Sequence, residues 1–482
     1  MTSQLSQNTA SAVMVMSEKP SEEFHNEKTI ERHKIMLIFP PLSMNERYSK
    51  NVGDVGGHLP PLGLLWMASV LEEDGHELKV LDCPVNKWSC EDAMNLIEKF
   101  KPDMIGIATI TQLLERAKEM SLAIRTKYPE MFIFIGGPHV NVMPEESLTE
   151  TKANVAVVGE AELIIKKIAQ NLNAYKEPQI MKGEMVRDLD SFPMPARHLV
   201  DMGKYTALPN TYKKYPNVAS VITSRGCPYT CTFCSDANGK FRQRSVEKVI
   251  TEMKFLIGEY GVKEISFWDD IFTMNRSWVL EFSKKIKEEK IEVLWSCYSR
   301  LNLVDPEILK AMKEAGCWNM FVGIESGNQD ILDNVKKRMT LEAIREKVKM
   351  IKDSGIEVRG SFVLGLPGET PEKARKTIDF AIELDPDYAQ FTLCTPYPGT
   401  EIWNDYEKWG KLNKGFVNYN EWQPVFLPHG YKDASELKKV HAEAFRRFYL
   451  RPRYVWGRLK KIHSKDEVLR HIKGLRMVLG FV

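Results

Sequence analysis

The chain has 482 residues, 43% of them hydrophobic and 27% charged, with a formal net charge of +2. That is the composition of a folded protein of about three domains. No run approaches the ~18 residues of a bilayer span, residues 1–31 lack the apolar segment of a signal peptide, and eight cysteines in so long a chain do not make a disulfide framework. The expectation is a soluble protein of a reducing cytosol. Charge is uneven: Arg446 to Arg476 holds 11 Lys/Arg against 2 Asp/Glu. An anionic partner near the C-terminus would suit that excess.

Residues 1–32 are polar and without apolar pattern, and read as a disordered leader. A first folded unit is expected over 33–183. Its strands read as Lys34–Phe39, Glu77–Leu81, Met104–Ala108, Met131–Ile135 and Asn154–Val158. Helical periods fall between them, near Leu62–Leu71, Cys90–Phe100, Leu113–Lys127 and Glu160–Leu172. Alternating strand and helix predicts a doubly wound parallel sheet covered on both faces. Ligands on such sheets bind at the carboxyl ends of the strands. Two loops stand at those ends: Gly136-Gly137-Pro138-His139 and Gly159-Glu160. Glycine there lets backbone approach a ligand closely, although turn glycines alone would look the same. His58 and His76 read as surface or turn residues. The Pro-rich stretch 184–217 reads as a linker.

The apolar run Val218–Thr223 leads into Arg225-Gly226-Cys227-Pro228-Tyr229-Thr230-Cys231-Thr232-Phe233-Cys234. Three cysteines at C-x3-C-x2-C spacing in a tight loop can hold one soft metal centre. A zinc knuckle is the competing reading, but no fourth Cys or His follows. Strand and helix then alternate about six times through 218–400, which predicts a partial α/β barrel. Function in barrels collects at the carboxyl strand ends. Those ends hold Asp269-Asp270, Arg300, Gly323-Ile324-Glu325-Ser326-Gly327, Gly365-Leu366-Pro367-Gly368-Glu369-Thr370 and Thr395–Thr400. Acids, an arginine and glycines at successive ends suit a zwitterionic ligand. Cys297, Cys317 and Cys394 read as packed core thiols.

The three-cysteine loop resembles the cluster loop of radical S-adenosylmethionine (SAM) enzymes. The Gly-Ile-Glu-Ser-Gly and Gly-Leu-Pro-Gly-Glu-Thr segments resemble the cobalamin-dependent members, including those that modify hopanoids and tetrapyrroles. Pro60–Leu64, Gly75-His76-Glu77 and the two glycine loops resemble their cobalamin-binding domain. The resemblance implies three cofactors: a [4Fe–4S] cluster on Cys227, Cys231 and Cys234, SAM, and cobalamin. It implies Phe233 against the adenine, and Asp269 or Asp270, Arg300, Glu325, Ser326 and Gly365 around the rest of SAM. It implies Gly136, Gly137, His139, Gly159 and Glu160 at cobalamin. The Asp-x-His-x-x-Gly motif that supplies a cobalt ligand in many such domains is missing after the first strand, which runs into Pro40-Pro41-Leu42-Ser43.

The implied activity is methylation of an unactivated carbon of a hydrophobic substrate, through a 5′-deoxyadenosyl radical and methylcobalamin. Cyclisation or C–C bond formation without methyl transfer is the rival within the class. Methylthiotransferase-like tRNA modification is the rival outside it. No nucleic acid is expected, because the region after Thr400 is too short and helical for an RNA-binding barrel. An electron donor of the flavodoxin or ferredoxin type is implied. Residues 401–482 read as a helical basic region. Its Arg451–Lys461 stretch mixes cations with aromatics, which suits peripheral contact with an anionic membrane.

Overall fold

Two parallel sheets of six strands each carry the chain. The computed structural model describes residues 31–48, 57–205, 215, 217–460 and Val468, Leu475, Val478 and Gly480. The expected leader lies outside the described residues except for Glu31 and Arg32, and so does nearly all of the tail beyond 460.

The first sheet holds β1 (Lys34–Phe39), β2 (Glu77–Asp82), β3 (Met104–Ala108), β4 (Phe132–Gly136), β5 (Val155–Val158) and β6 (Gln179–Lys182). Their order is β2-β1-β3-β4-β5-β6, all parallel. Strand order reverses between β1 and β3, which makes the carboxyl ends of those strands the switch point where such sheets take ligands. The sequence pattern missed β6, because its four residues, Gln-Ile-Met-Lys, three half-buried and the lysine exposed, carry too little apolar signal. Helix Cys90–Phe100 begins at a capping box: the Ser89 side chain accepts from Asp92 N–H while the Asp92 carboxylate accepts from Ser89 N–H. The Gly137 loop leads straight into short helices Pro138–Val142 and Pro144–Thr151, each opened by its proline. His76 is buried, not a surface residue; its Nδ1 accepts the His33 N–H at 3.1 Å and its ring stacks on His33.

The second sheet holds β7 (Val218–Val221), β8 (Glu264–Phe267), β9 (Leu294–Ser299), β10 (Cys317–Glu325), β11 (Glu357–Leu364) and β12 (Tyr388–Leu393). Each strand pairs in parallel with the next in sequence, so the sheet is open and consecutive. This is the partial α/β barrel the sequence predicted. Alternate residues point to opposite faces. Ile265, Phe267, Trp295, Cys297, Met320, Val322, Val358 and Phe362 join the core formed with the crossover helices. The intervening residues, such as Ser266, Ser296, Tyr298, Asn319, Phe321 and Arg359, face the other way. Cys297, Cys317 and Cys394 are buried, as expected.

The described residues from Arg187 to Lys460 pack with this second unit. Arg197 and Arg244 both pair with Glu252, at 2.7 and 2.5 Å, and all three are buried. The Asp190 carboxylate accepts the N–H of Ser245, the N-cap of helix Val246–Tyr260. The C-terminal region is not wholly helical: Gly410–Leu412 pairs antiparallel with Phe426–Pro428. Helix Ala434–Tyr449 then covers edge strand β12, setting Phe445 and Phe448 on Phe391 while Tyr449 Oη bonds both backbone groups of Ala389. That arrangement protects an edge which would otherwise present open backbone groups. Among the described residues, no helix is long and apolar enough to cross a membrane.

Candidate cluster and cofactor site

The cysteine loop is closed by its own backbone. A two-residue ladder, Ser224–Arg225 with Arg242–Gln243, brackets it. Inside, Gly239 N–H donates to Cys227 O (2.8 Å), Asn238 N–H to Tyr229 O (2.8 Å) and Cys234 N–H to Cys231 O (3.1 Å). Gly226 sits at φ +87°, and a Cβ there would run into Lys240 O. The tight entry to the loop therefore requires glycine at this position. Cys227 and Cys231 are buried and Cys234 half-buried. Burial raises the Cys227 thiol, and pushes Cys234 up to about 12 with the charge of Asp236 adding to it. Cys227 and Cys234 each also feel the charge of Cys231, so the three face one region. Among the described residues, no three His, Cys, Asp or Glu side chains are spaced to hold one metal ion. A four-iron cube suits the loop better, since each thiolate binds a different iron and the sulfurs stand further apart.

Arg300, at the end of β9, locks this loop. Its Nη1 donates to Cys231 Sγ at 3.3 Å, and its guanidinium lies 3.8 Å from the centre of the Tyr229 ring. Nη2 donates to Lys337 O at 2.8 Å. Asn302 holds the Tyr229 hydroxyl from the other side at 2.9 Å. A hydrogen bond from a cation to a cluster sulfur is one of the means by which proteins set cluster potential.

The acids divide into two kinds. Asp269 is buried, and its Oδ1 accepts from the N–H and hydroxyl of both Thr223 and Ser224 at 2.5 to 3.0 Å. It therefore shapes the turn from β7 into the cysteine loop. Burial pushes its carboxyl up to about 6, against those donors. Asp270 lies at the open rim. Partial desolvation, then the charges of Asp236 and Asp269, push it up to about 6 while Gly226 N–H holds it down. This crowd of carboxylates beside Cys227 suits a ligand with an ammonium and a sulfonium.

Glu325 and Ser326 also part ways. Glu325 has φ +70°, a strained conformation for a non-glycine residue, at a register shift between β10 and β11. Its carboxylate receives Lys337 Nζ at 2.7 Å, with both side chains buried. The Ser326 hydroxyl turns into the fold, 3.1 Å from Thr377 Oγ1, and accepts from Asn328 N–H. Gly365, at φ +78°, donates its N–H to buried Glu369, which also accepts from Tyr431 Oη at 2.7 Å. Phe233 packs against a group that includes Ile331, Val335, Leu366, Ile402 and Phe426.

In the first sheet, the strand ends are occupied chiefly by backbone contacts. Gly137 has φ +124°, and a Cβ there would lie 2.7 Å from Thr109 O, so the β3 and β4 loops meet main chain to main chain. Gly136 precedes it in an ordinary conformation. Gly159 N–H donates to Asn141 Oδ1, and Glu160 Oε2 accepts from Val186 N–H at 2.7 Å. His139 is buried, with Nδ1 3.1 Å from Thr111 Oγ1, and burial lowers its pKa. No histidine lies among Pro40–Tyr48, directly after β1.

One segment escaped the sequence reading. Val335–Arg338 links the cysteine loop, Arg300 and Glu325: Thr232 N–H donates to Val335 O (3.2 Å), Lys337 O receives Arg300, and Lys337 Nζ reaches Glu325. Lys336 and Arg338 have φ near +53°. Nothing in a Lys-Lys-Arg string announces that geometry. Tyr229 was visible as part of the cysteine motif, but its stacking role depends on Arg300, about 70 residues away.

Two family models match. Residues 221–381 match the radical SAM superfamily, and residues 48–169 match the B12 binding domain. The chain is 35% identical over 469 residues to an uncharacterized methyltransferase of Pyrococcus horikoshii, covering 92% of this chain and 98% of the relative. It is 26% identical over 438 residues to the anaerobic magnesium-protoporphyrin IX monomethyl ester cyclase of Rubrivivax gelatinosus, covering 85% and 77%. In fold it resembles the radical SAM methyltransferase TsrM of Kitasatospora setae, solved with cobalamin and a [4Fe–4S] cluster, with a TM-score of 0.66 at 16% identity over 93% of this chain and 99% of that one. The expected cofactors, a [4Fe–4S] cluster, SAM and cobalamin, accord with both family models, and the buried thiols and crowded acids described above fit the first two.

Proposed function

Because the chain belongs to the cobalamin-dependent radical SAM methyltransferase family, we propose that it methylates an unactivated carbon of a hydrophobic molecule, a lipid such as a hopanoid or a tetrapyrrole. Bound together, the cluster, SAM and cobalamin supply an electron, a hydrogen-abstracting radical and a methyl group. The chain's own part is to hold and position them. Cys227, Cys231 and Cys234 would hold the cluster, with Arg300 steadying the Cys231 sulfur. Asp270, Glu325 with Lys337, and the Gly365 backbone would orient SAM, while Asp269 keeps the loop in place and Phe233 offers a ring. Gly136, Gly137, His139, Gly159 and Glu160 shape the proposed cobalamin crevice. On this reading 33–183 is the cobalamin domain, 184–217 its connection, 218–400 the radical SAM half-barrel and 401–482 a C-terminal region.

The observation that carries the proposal is the union in one chain of a B12-binding match and a cysteine loop locked by Arg300. Reductant would come from a flavodoxin- or ferredoxin-type donor. Val455, Trp456 and Leu459 lie exposed on basic helix Pro452–Leu459, Trp456 at 62% of its full surface, and support peripheral contact with an anionic membrane. The magnesium-protoporphyrin cyclase relative favours a second reading, oxidative ring closure without methyl transfer. Anaerobically reconstituted protein, given reductant and SAM labelled in its methyl group, separates the two. Label in the product supports methylation; product without label overturns it in favour of cyclisation.

A further inference from the structure

Four adjacent strands of the second sheet set Trp268, Tyr298, Phe321 and Arg359 in one row, on the face turned away from the helices. Tyr298 pairs with Phe321 and Phe321 with Arg359 in the strand register. The rings of Trp268 and Tyr298 are 4.9 Å apart, and those of Tyr298 and Phe321 4.8 Å. Three strand spacings make the row about 14 Å long. Trp268 and Tyr298 come two residues before Asp270 and Arg300, Phe321 four before Glu325, and Arg359 six before Gly365. The row therefore runs from about 7 Å below the strand-end groups assigned to the cluster and SAM, at Trp268 and Tyr298, to about 20 Å below them at Arg359. The three rings are half-buried.

Arg359 follows Phe321 in this row, with Tyr388 of β12 opposite it on the next strand, and it is only 5% exposed. Its guanidinium lies 4.1 Å from the Phe321 ring centre and 5.4 Å from that of Tyr298, and Nη2 donates to Tyr298 Oη at 3.1 Å. Its Nε is buried without a partner, as is Trp268 Nε1 at the other end of the row. Among the described residues Arg359 forms no ion pair. A buried cation without a counter-charge is unfavourable, because its lost hydration is not returned. Stacking on two rings offsets only part of that and leaves the donor on Nε unmatched. The missing partner is a negatively charged acceptor, and the flat apolar floor beside it calls for a planar body.

We propose that this row is the floor of the substrate site, and that Arg359 binds an oxyanion, a carboxylate or phosphate, carried by a flat apolar substrate. The inference rests on the function given above and adds one requirement to it: the hydrophobic molecule bears an anionic group on the side away from the reacting carbon. A neutral hydrocarbon lipid would not meet that requirement.

Anaerobic calorimetry on reconstituted holoenzyme tests it with three probes of one shape: 2-naphthoate, 2-naphthyl phosphate and neutral 2-naphthamide. At least one anion should bind about tenfold or more tightly than the amide, the usual worth of a charge-assisted hydrogen bond. Whether naphthoate or naphthyl phosphate is preferred tells carboxylate from phosphate. Arg359→Gln should bring the anion-to-amide ratio to about one. Arg359→Lys, which keeps the charge but loses the planar fork, should leave an intermediate ratio, and it serves if the glutamine variant does not fold. Equal binding of all three probes by the unaltered protein, or an undiminished ratio in either variant, would overturn the proposal. Failure of the functional reading shows elsewhere, as the absence of 5′-deoxyadenosine when the unaltered holoenzyme receives SAM and dithionite.

Discussion

The two sheets are both parallel and both six-stranded, yet they offer ligands different things. In β1, β3, β4 and β5 nearly every residue is buried, because helices cover both faces. Side chains from within those strands have no open face, so a ligand is left with the loops at the strand ends. In β9, β10 and β11 only alternate residues enter the helix-side core, and the others form a second face with serines, rings and Arg359. Strand order matches this contrast. The reversal at β1 and β3 opens a crevice between loops, whereas consecutive pairing from β7 to β12 leaves one face open. The first sheet accordingly offers a ligand backbone and shape, the second charged and aromatic side chains.

Substitutions can break this contrast, and the largest effect belongs to the second sheet. Alanine at Cys227, Cys231 or Cys234 should reduce iron in the reconstituted protein severalfold and 5′-deoxyadenosine formation to background. Iron analysis and chromatography read both, and a variant retaining full iron would contradict the ligand assignment. Next is Lys337→Met, which leaves Glu325 buried without its cation. Loss of one partner of a buried pair should cost about 3 to 5 kcal/mol in chemical denaturation.

Glu369 gives a smaller, pH-dependent effect. Burial pushes its carboxyl up to about 7, with Gly365 N–H and Tyr431 Oη opposing. Its folded pKa thus exceeds the unfolded value of about 4.3. The stability it contributes is complete below about pH 4 and is lost as pH rises through 7, about 4 kcal/mol in all. Glu369→Gln should remove that slope from denaturation curves taken between about pH 4 and 7. In the first sheet Gly137→Ala should cost about 2 to 3 kcal/mol, from φ +124° and the contact with Thr109 O together. A neutral result there would mean that the β3 and β4 loops are not held main chain to main chain.

Local pattern carried much of this molecule. Apolar runs placed five of the six strands of the first sheet and β7 within a few residues, helix Cys90–Phe100 matches the expected range, and the C-x3-C-x2-C spacing marked the cysteine loop. Those features are written in neighbouring residues, because hydrophobic period, capping and tight turns depend on groups a few positions apart. What each strand-end group does was settled only by the tertiary fold. Asp269, Arg300 and Glu325 looked alike as strand-end charges. Packing set the first on the turn at Thr223 and Ser224, the second on a cysteine sulfur and the third on a lysine twelve residues on. The Trp268-to-Arg359 row was half legible, since a period of two leads back from Asp270 and Arg300 to Trp268 and Tyr298. That Phe321 and Arg359 continue it depends on strand register, which arises when segments far apart in the chain pair through their backbones.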